Sequence, residues 1–217
     1  MRLARASHDV WVLAVALNNL GEAYRETGDL EAAATAYEES YVLRREIGDT
    51  SRIALSLGNL AEMALLTGDL VRARTLSIEA LEHAERLGDL RHSSFALTAL
   101  GWVALGEGHV DEATEHFTGA LAIVSDLGYT QFSVNILFGL AGTAAAAGDV
   151  PRAARLEAVA ARHEAILGHQ PTAADSGIHR RYLDELRGVT EPSVWEETAR
   201  WGAGTSLDDG IAYALSS

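Results

Sequence analysis

The amino-acid sequence predicts an all-α protein, a right-handed superhelix (α-solenoid) of antiparallel helical hairpins. Three observations predict this fold. Glycines mark the sequence with a period of forty residues, in two series offset by half that period. Between the marks, apolar residues recur at the spacing of one helix face, and only three prolines interrupt 217 residues. No segment shows the alternation of apolar and polar residues that is typical of a half-buried strand.

Each of these glycines is expected to end one helix, and the residue after it to begin the next. The marks are Gly28, Gly68, Gly108 and Gly148 in one series and Gly48, Gly88, Gly128 and Gly168 in the other. Glycine adopts the left-handed conformation that ends helices, and aspartate, which follows most of these glycines, accepts hydrogen bonds from the first N–H groups of a helix. We therefore expect a helix of about seventeen residues in each half-period from Asp9 to Leu167, with neighbours antiparallel because the connections are short.

The period divides the chain into an N-terminal segment, four repeats and a tail. Residues 1–8 align with the ends of later second helices and are expected to be the remnant of a preceding repeat helix. The four repeats are 9–48, 49–88, 89–128 and 129–168. Because the cut end of a solenoid exposes an apolar face, we expect the chain to be the C-terminal part of a longer protein.

After the fourth repeat the period fails, and residues 169–217 predict three helices that cap the solenoid. The first is expected over Thr172–Arg187. Pro192 suits the first turn of the second helix, because its missing N–H costs nothing there. Ser206 is expected to cap the third helix, with Asp209 at the third position of a capping box.

The residues between the glycines resemble the tetratricopeptide repeat signature. The likeness is clearest in the run Asn19–Ala33. It returns in the later repeats at positions that include Leu60, Ala64, Leu100, Ala104, Leu140 and Ala144. The resemblance implies small residues where paired helices approach and large residues in the seam between repeats. Each repeat has forty residues instead of the usual thirty-four, which we interpret as longer helices.

The tail resembles the end of large actinobacterial transcriptional regulators of the LuxR and AfsR types. The likeness lies in Trp195–Gly202 and Ser206–Leu215, and in a composition without lysine, since all 17 basic residues are arginine. Such regulators join a DNA-binding domain and a P-loop ATPase module to a tetratricopeptide-like arm. The resemblance implies that this chain is the sensor or regulatory arm of such a regulator and acts in signal transduction.

Composition and motifs argue against catalysis, metal binding and contact with polyanions. The sequence has no cysteine and no lysine, which excludes disulfides, thiolate zinc sites, cysteine nucleophiles and Schiff-base chemistry. A net charge of −14 disfavours the phosphate backbone of nucleic acids. Neither a His-Glu-x-x-His, a Gly-x-Ser-x-Gly nor a dinucleotide-binding motif occurs. We therefore expect a cytoplasmic, non-enzymatic protein with no cofactor, no metal, no direct nucleic-acid partner and no membrane partner.

The inner surface of the superhelix is the candidate binding site. In proteins with this repeat, the first helix of each hairpin builds most of that surface, so the resemblance assigns the ligand-facing residues. They are Asn18, Glu22 and Arg25 in the first repeat, Glu62 in the second, Phe95, Thr98 and Trp102 in the third, and Asn135 and Phe138 in the fourth. The three aromatic residues are expected either to form an apolar pocket for a helix or extended peptide, or to complete the core between repeats.

The leading interpretation is a domain that binds a protein or peptide segment, or the ATPase module of its own regulator. A ligand that favours one arrangement of the arm then shifts the regulator between its off and on states. Two alternatives stay open. One is a small-molecule receptor with its site near Trp102, and the other is a freestanding scaffold that assembles other proteins.

Overall fold

A computed structural model describes residues 2–167 and 177–216, with side chains from residue 9 onwards. Within these ranges all regular structure is helical, which confirms the predicted all-α fold of helical hairpins. The α-helices of the described residues are α1 Arg2–Glu26, α2 Leu30–Glu46, α3 Ile53–Leu66, α4 Leu70–Leu87, α5 Leu90–Glu107, α6 Val110–Asp126, α7 Ser133–Ala146, α8 Val150–Leu167, α9 Ile178–Val189, α10 Pro192–Gly204 and α11 Leu207–Leu215. None of them combines the length and the hydropathy that a bilayer crossing requires.

The chain forms two compact units, Met1–Ala99 and Leu100–Ser217, and the boundary between them falls within α5. In the first unit α1 pairs with α2, α3 pairs with α4, and α2 packs on α3. In the second unit α7 packs on α6, α8 and α9. In the repeats of both units, therefore, helices that follow one another in sequence also pack together.

Glycine ends the helices as the sequence predicts. The seven predicted glycines within the described residues all have positive φ, from 64° at Gly88 to 84° at Gly108, whereas Gly168 lies outside the described residues. After the first of these turns, the Asp29 carboxylate accepts a hydrogen bond from the Ala32 N–H at 3.1 Å. The same capping bond forms at Asp69, Asp89 and Asp149.

Two helices begin later than predicted. Short 3-10 turns, Thr50–Arg52 and Thr130–Phe132, precede α3 and α7. Before the first of them, the Asp49 carboxylate accepts a hydrogen bond from the Ser51 hydroxyl at 2.7 Å and makes no capping bond. Tyr129, which precedes the second turn, also makes no side-chain capping bond. Both chain segments therefore turn once more before the α-helix starts.

Helix α1 runs without a break from Arg2 to Glu26, so residues 2–8, expected to be the remnant of a preceding repeat helix, continue directly into the first helix of the first repeat. The physical reason lies at residue 8. The equivalent position in later repeats is a left-handed glycine, at Gly48, Gly88 and Gly128. Residue 8 is histidine, and a side chain makes the left-handed conformation costly. Without that conformation, α1 continues past the point where the other helices end.

The core of the first unit packs an aromatic ring against a glycine. Tyr37 is 1% exposed and packs with Ala33, Leu60 and Met63. A Cβ added at Gly21 would lie 2.6 Å from the Tyr37 ring, so only glycine leaves room for this contact. The predicted role of small residues in the close approach of paired helices is thus confirmed here.

In the tail, α10 and α11 lie on α8. Gly202 permits the approach of α10, because a Cβ there would lie 2.4 Å from the backbone oxygen of Arg155. As predicted, Pro192 lies in the first turn of α10. Ser206 caps α11, since its Oγ accepts a hydrogen bond from the Asp209 N–H at 3.1 Å.

The first tail helix departs from the prediction of a helix over Thr172–Arg187. Its described part, α9, begins at Ile178 and ends at Val189. Residues 172–176 lie outside the described residues. Helix α9 packs on α7, and this contact brings it to the candidate site.

Candidate functional site

In the first unit, the predicted ligand-facing residues of α1 form a hydrogen-bonded polar cluster. The Arg25 guanidinium donates two hydrogen bonds to Glu22 Oε2, from Nη2 at 2.9 Å and from Nε at 3.2 Å. One turn earlier, Asn18 Oδ1 accepts a hydrogen bond from Asn59 Nδ2 on α3 at 3.2 Å. The cluster therefore spans the first helices of two successive repeats.

The charges of this cluster act on Arg25 and on the neighbouring Tyr37. The Arg25 side chain is only 12% exposed. This burial lowers the pKa of Arg25, but the negative charges of Glu62 and Glu22 outweigh it and raise the pKa above its ordinary value. Burial, together with the charge of Glu22, raises the pKa of the Tyr37 hydroxyl. A charged guanidinium thus lies beside two carboxylates, and the group carries net negative charge.

The other two predicted residues of the first unit, Phe95 and Thr98, lie on α5 and make contacts within their own helix. Thr98 is 7% exposed, and its hydroxyl donates to the backbone oxygen of Ser94 at 2.8 Å. The half-buried Phe95 ring has the His92 ring edge-on at 6.0 Å and the Arg91 guanidinium carbon at 5.6 Å. Residues one turn or less away therefore cover part of the Phe95 ring.

In the second unit, Trp102 and Phe138 come together around a side chain that the sequence did not predict for the site. The fully buried Trp102 ring lies 5.1 Å from the Phe117 ring and 5.6 Å from the His179 imidazole, centroid to centroid. Phe138, 8% exposed, lies 5.2 Å from the same imidazole. Asn135 is half-buried on α7. Side chains of this chain therefore fill the space beside Trp102, where the sequence predicted either a pocket or part of the core between repeats.

Gly142 lets α9 approach this closely. A Cβ added there would lie 2.8 Å from His179 Cβ and 2.9 Å from Leu105 Cδ2. The equivalent positions in the other repeats carry large side chains, Glu22, Glu62 and Trp102. A glycine within a helix usually marks a packing requirement, so the sequence indicates a close contact at Gly142. It does not identify His179 as the residue that makes this contact.

One face of α9 holds it in place. His179 and Leu183 are its buried side chains. The Tyr182 hydroxyl donates a hydrogen bond to the backbone oxygen of Leu105, at the end of α5, at 3.0 Å. Farther along α9, Arg187 Nη2 lies 2.6 Å from Glu157 Oε2 on α8.

A cleft lies among the described residues of each unit. A cleft of about 270 Å³ lies beside α9, between Phe138, Leu183 and charged residues that include Glu157 and Arg187. A cleft of about 500 Å³ lies on α1 and α2, with Leu20 among its lining residues. Among the described residues, no three histidine, aspartate or glutamate side chains come together as ligands for a metal ion.

The comparisons with known proteins agree on the repeats. The tetratricopeptide repeat model matches residues 12–74 and 52–126, which together make up more than half of the chain. Among solved structures, the chain is similar to the crystal structure of BtubC (BKLC) from P. vanneervenii, with a TM-score of 0.59 and 26% sequence identity. The similarity covers 73% of this chain and 66% of that one. No curated protein matches the chain.

Proposed function

Because the chain belongs to the tetratricopeptide repeat family, we propose that it binds a protein segment along the ligand-facing residues of its first helices. Repeats of this family generally mediate interaction between proteins, and the family is typically a non-enzymatic interaction or scaffold fold. The proposal therefore concerns which residues bind and what chemistry they select.

The net negative charge of the polar cluster in the first unit supports this proposal. Glu22 and Glu62 outnumber Arg25, and partial burial strengthens the field they exert. A segment with an arginine or lysine side chain is the complementary ligand. The amides of Asn18 and Asn59 are suited to hydrogen bonds with a peptide backbone. The net charge of −14 favours the approach of a basic segment.

The test compares two fluorescent peptides of equal length, one rich in arginine and one rich in glutamate. We expect saturable binding of the arginine peptide, weakened about tenfold by the double substitution Glu22→Gln and Glu62→Gln, because a partly buried charge loses its partner. Glu46→Gln, on the exposed end of α2, is the matched control. Equal binding of both peptides, or an equal loss in the control, would contradict the proposal.

We further propose that the chain is the regulatory arm of a larger cytoplasmic transcriptional regulator, with the ATPase module of that regulator as a second candidate partner. The support is the resemblance of the runs Trp195–Gly202 and Ser206–Leu215. The test is the DNA sequence upstream of the Met1 codon. An in-frame continuation that encodes a Gly-x-x-x-x-Gly-Lys loop and a DNA-binding helix pair supports the proposal. A stop codon and ribosome-binding site there would favour the freestanding scaffold.

A further inference from the structure

The ligand-facing residues of the second unit are covered by a helix of the same chain. Helix α9 packs on α7 and places His179 between Trp102 and Phe138. Trp102 is fully buried. Glu22, at the equivalent position of the first repeat, keeps 38% of its side chain exposed. The same repeat position is therefore open in the first unit and occupied in the second.

A few buried side chains, its anchors, hold α9 in place, as in complexes where a helix binds a groove. It buries two of its 12 residues, His179 and Leu183, whereas α7 buries twelve of its 14. The two anchors are four residues apart, the spacing with which amphipathic helices bind grooves. Few buried contacts are typical of an element that opens locally.

Helix α9 provides no hydrogen-bond acceptor for one buried donor of this site. The indole N–H of Trp102 is buried and has no hydrogen-bond acceptor among the described residues. A buried donor without an acceptor costs free energy. A competing helix that brings an acceptor to this point gains an interaction that α9 lacks.

We infer that Trp102, Leu105, Phe138 and Gly142 form a binding site for amphipathic helices, and that α9 is its internal ligand. The external partner is a helix with an aromatic or imidazole anchor, a leucine four residues later, and a basic residue one turn farther on that pairs with Glu157. The inference rests on the proposed function, peptide binding by the first helices of the repeats. Such a partner must displace α9. Its apparent affinity is therefore its intrinsic affinity multiplied by the fraction of chains in which α9 has left the site.

The experiment measures whether α9 of the chain competes with a separate peptide of the same sequence. The probe is a fluorescent peptide with the sequence of residues 177–190, and its binding to the full chain is compared with its binding to a full-length Leu183→Ala variant. We expect at least tenfold tighter binding to the variant, because its own α9 competes less well. The peptide with Leu183→Ala should lose this binding, whereas the peptide with Glu185→Ala, changed on the exposed face, should keep it. Equal affinity for the two chains, or no binding to either, overturns the inference.

If the Leu183→Ala variant loses its helical circular dichroism, hydrogen exchange on the unmodified chain tests the inference instead. We expect the amides of α9 to be at least about a hundredfold less protected than those of α7. Equal protection overturns the inference, because α9 would then open only together with the core.

The two proposals fail separately. Glu22→Gln with Glu62→Gln should leave binding of the α9 peptide to the Leu183→Ala chain unchanged. Loss of arginine-peptide binding with retention of α9-peptide binding would reject only the function proposed for the first unit. The opposite pattern would reject only the role of α9.

Discussion

At the scale of single residues, size is matched within each hairpin between two positions sixteen residues apart. In order along the chain, the pairs are Gly21 with Tyr37, Ala61 with Ser77, Gly101 with Phe117 and Ala141 with Glu157. Glycine occurs opposite an aromatic ring, and alanine opposite a residue without one. The reason is steric in both aromatic pairs, since a Cβ would lie 2.6 Å from the Tyr37 ring and 2.7 Å from the Phe117 ring.

This matching predicts that Gly21→Ala lowers the free energy of unfolding by about 1–3 kcal/mol, because the Tyr37 ring is buried and has to shift. In a Tyr37→Ser background, which reproduces the pair found in the second repeat, the same change should cost much less. Urea unfolding of the four proteins measures the coupling between the two sites. Gly58→Ala is the control: its Cβ would meet nothing within 4 Å, so a gain of about 0.5–1 kcal/mol is expected. An equal cost of Gly21→Ala in both backgrounds would show that the ring is not the obstacle.

A second residue-scale prediction concerns pH and the cap of α5. Partial burial raises the pKa of Asp89, but hydrogen bonds from the His92 side chain at 2.6 Å and its backbone N–H at 3.1 Å outweigh it, so the pKa lies below the ordinary 3.8. A lowered pKa contributes stability above pH 3.8, and that stability is lost as the pH falls through the folded-state pKa.

Asp89→Ala should therefore cost about 1 kcal/mol at pH 7, the usual value of an N-cap, and less in acid. Urea unfolding of the variant and the wild type at pH 7 and at about pH 3 measures the difference. Asp111→Ala, in the first turn of α6, offers a comparison at an acidic residue that is not an N-cap. A difference at Asp89 that stays constant with pH would mean that the lowered pKa contributes nothing.

At the scale of helices, equivalent positions share sequence but differ in burial. Leu20 on α1 is 43% exposed, whereas Leu60, the equivalent residue of α3, is 4% exposed. The difference arises because α2 packs on α3, while Leu20 lines the cleft on α1 and α2. The repeat pattern thus specifies an apolar face, and the neighbouring helix determines whether that face is buried.

The pair gives a direct test. Leu60→Ala should reduce the free energy of unfolding by about 2–5 kcal/mol, because it removes buried methyl groups and leaves a cavity. Leu20→Ala, the same chemical change forty residues earlier, should cost less than about 1 kcal/mol. Chemical unfolding measures both. Similar losses for the two variants would mean that the face of α1 is covered in solution.

Helix boundaries could be predicted from the sequence because their signals are local. Gly48 and Gly88 end helices, and Asp69 begins one, through bonds within a few residues. The continuity of α1 follows from the same rule, applied to the histidine at position 8. The position of α9 could not be predicted, because the contact of His179 with Trp102 joins residues far apart in sequence. The amphipathic pattern of α9 shows which face is apolar but not which helix it meets.

At the scale of the whole molecule, the chain forms two compact units. Repeat arrays have stabilities set by each repeat and its neighbours, so they can lose structure in parts. We expect Gly139→Ala, whose Cβ would lie 2.4 Å from the Phe117 ring, to lower amide protection in α6–α8 more than in α2–α4. Gly21→Ala should do the reverse. Hydrogen exchange measured by mass spectrometry tests both variants, and a uniform loss of protection along the chain would indicate a single cooperative unit.

The left-handed glycines also have a genetic consequence. Gly48 and Gly88 adopt the same conformation and are each followed by aspartate. The codons for residues 49–88 therefore encode a cassette that begins after one left-handed glycine and ends with the next. An in-frame duplication of this cassette joins Gly88 to a second copy of Asp49, so it adds a hairpin without requiring a new kind of turn. Recombination between equivalent codons can thus change the number of repeats in such a gene while the helix ends stay intact.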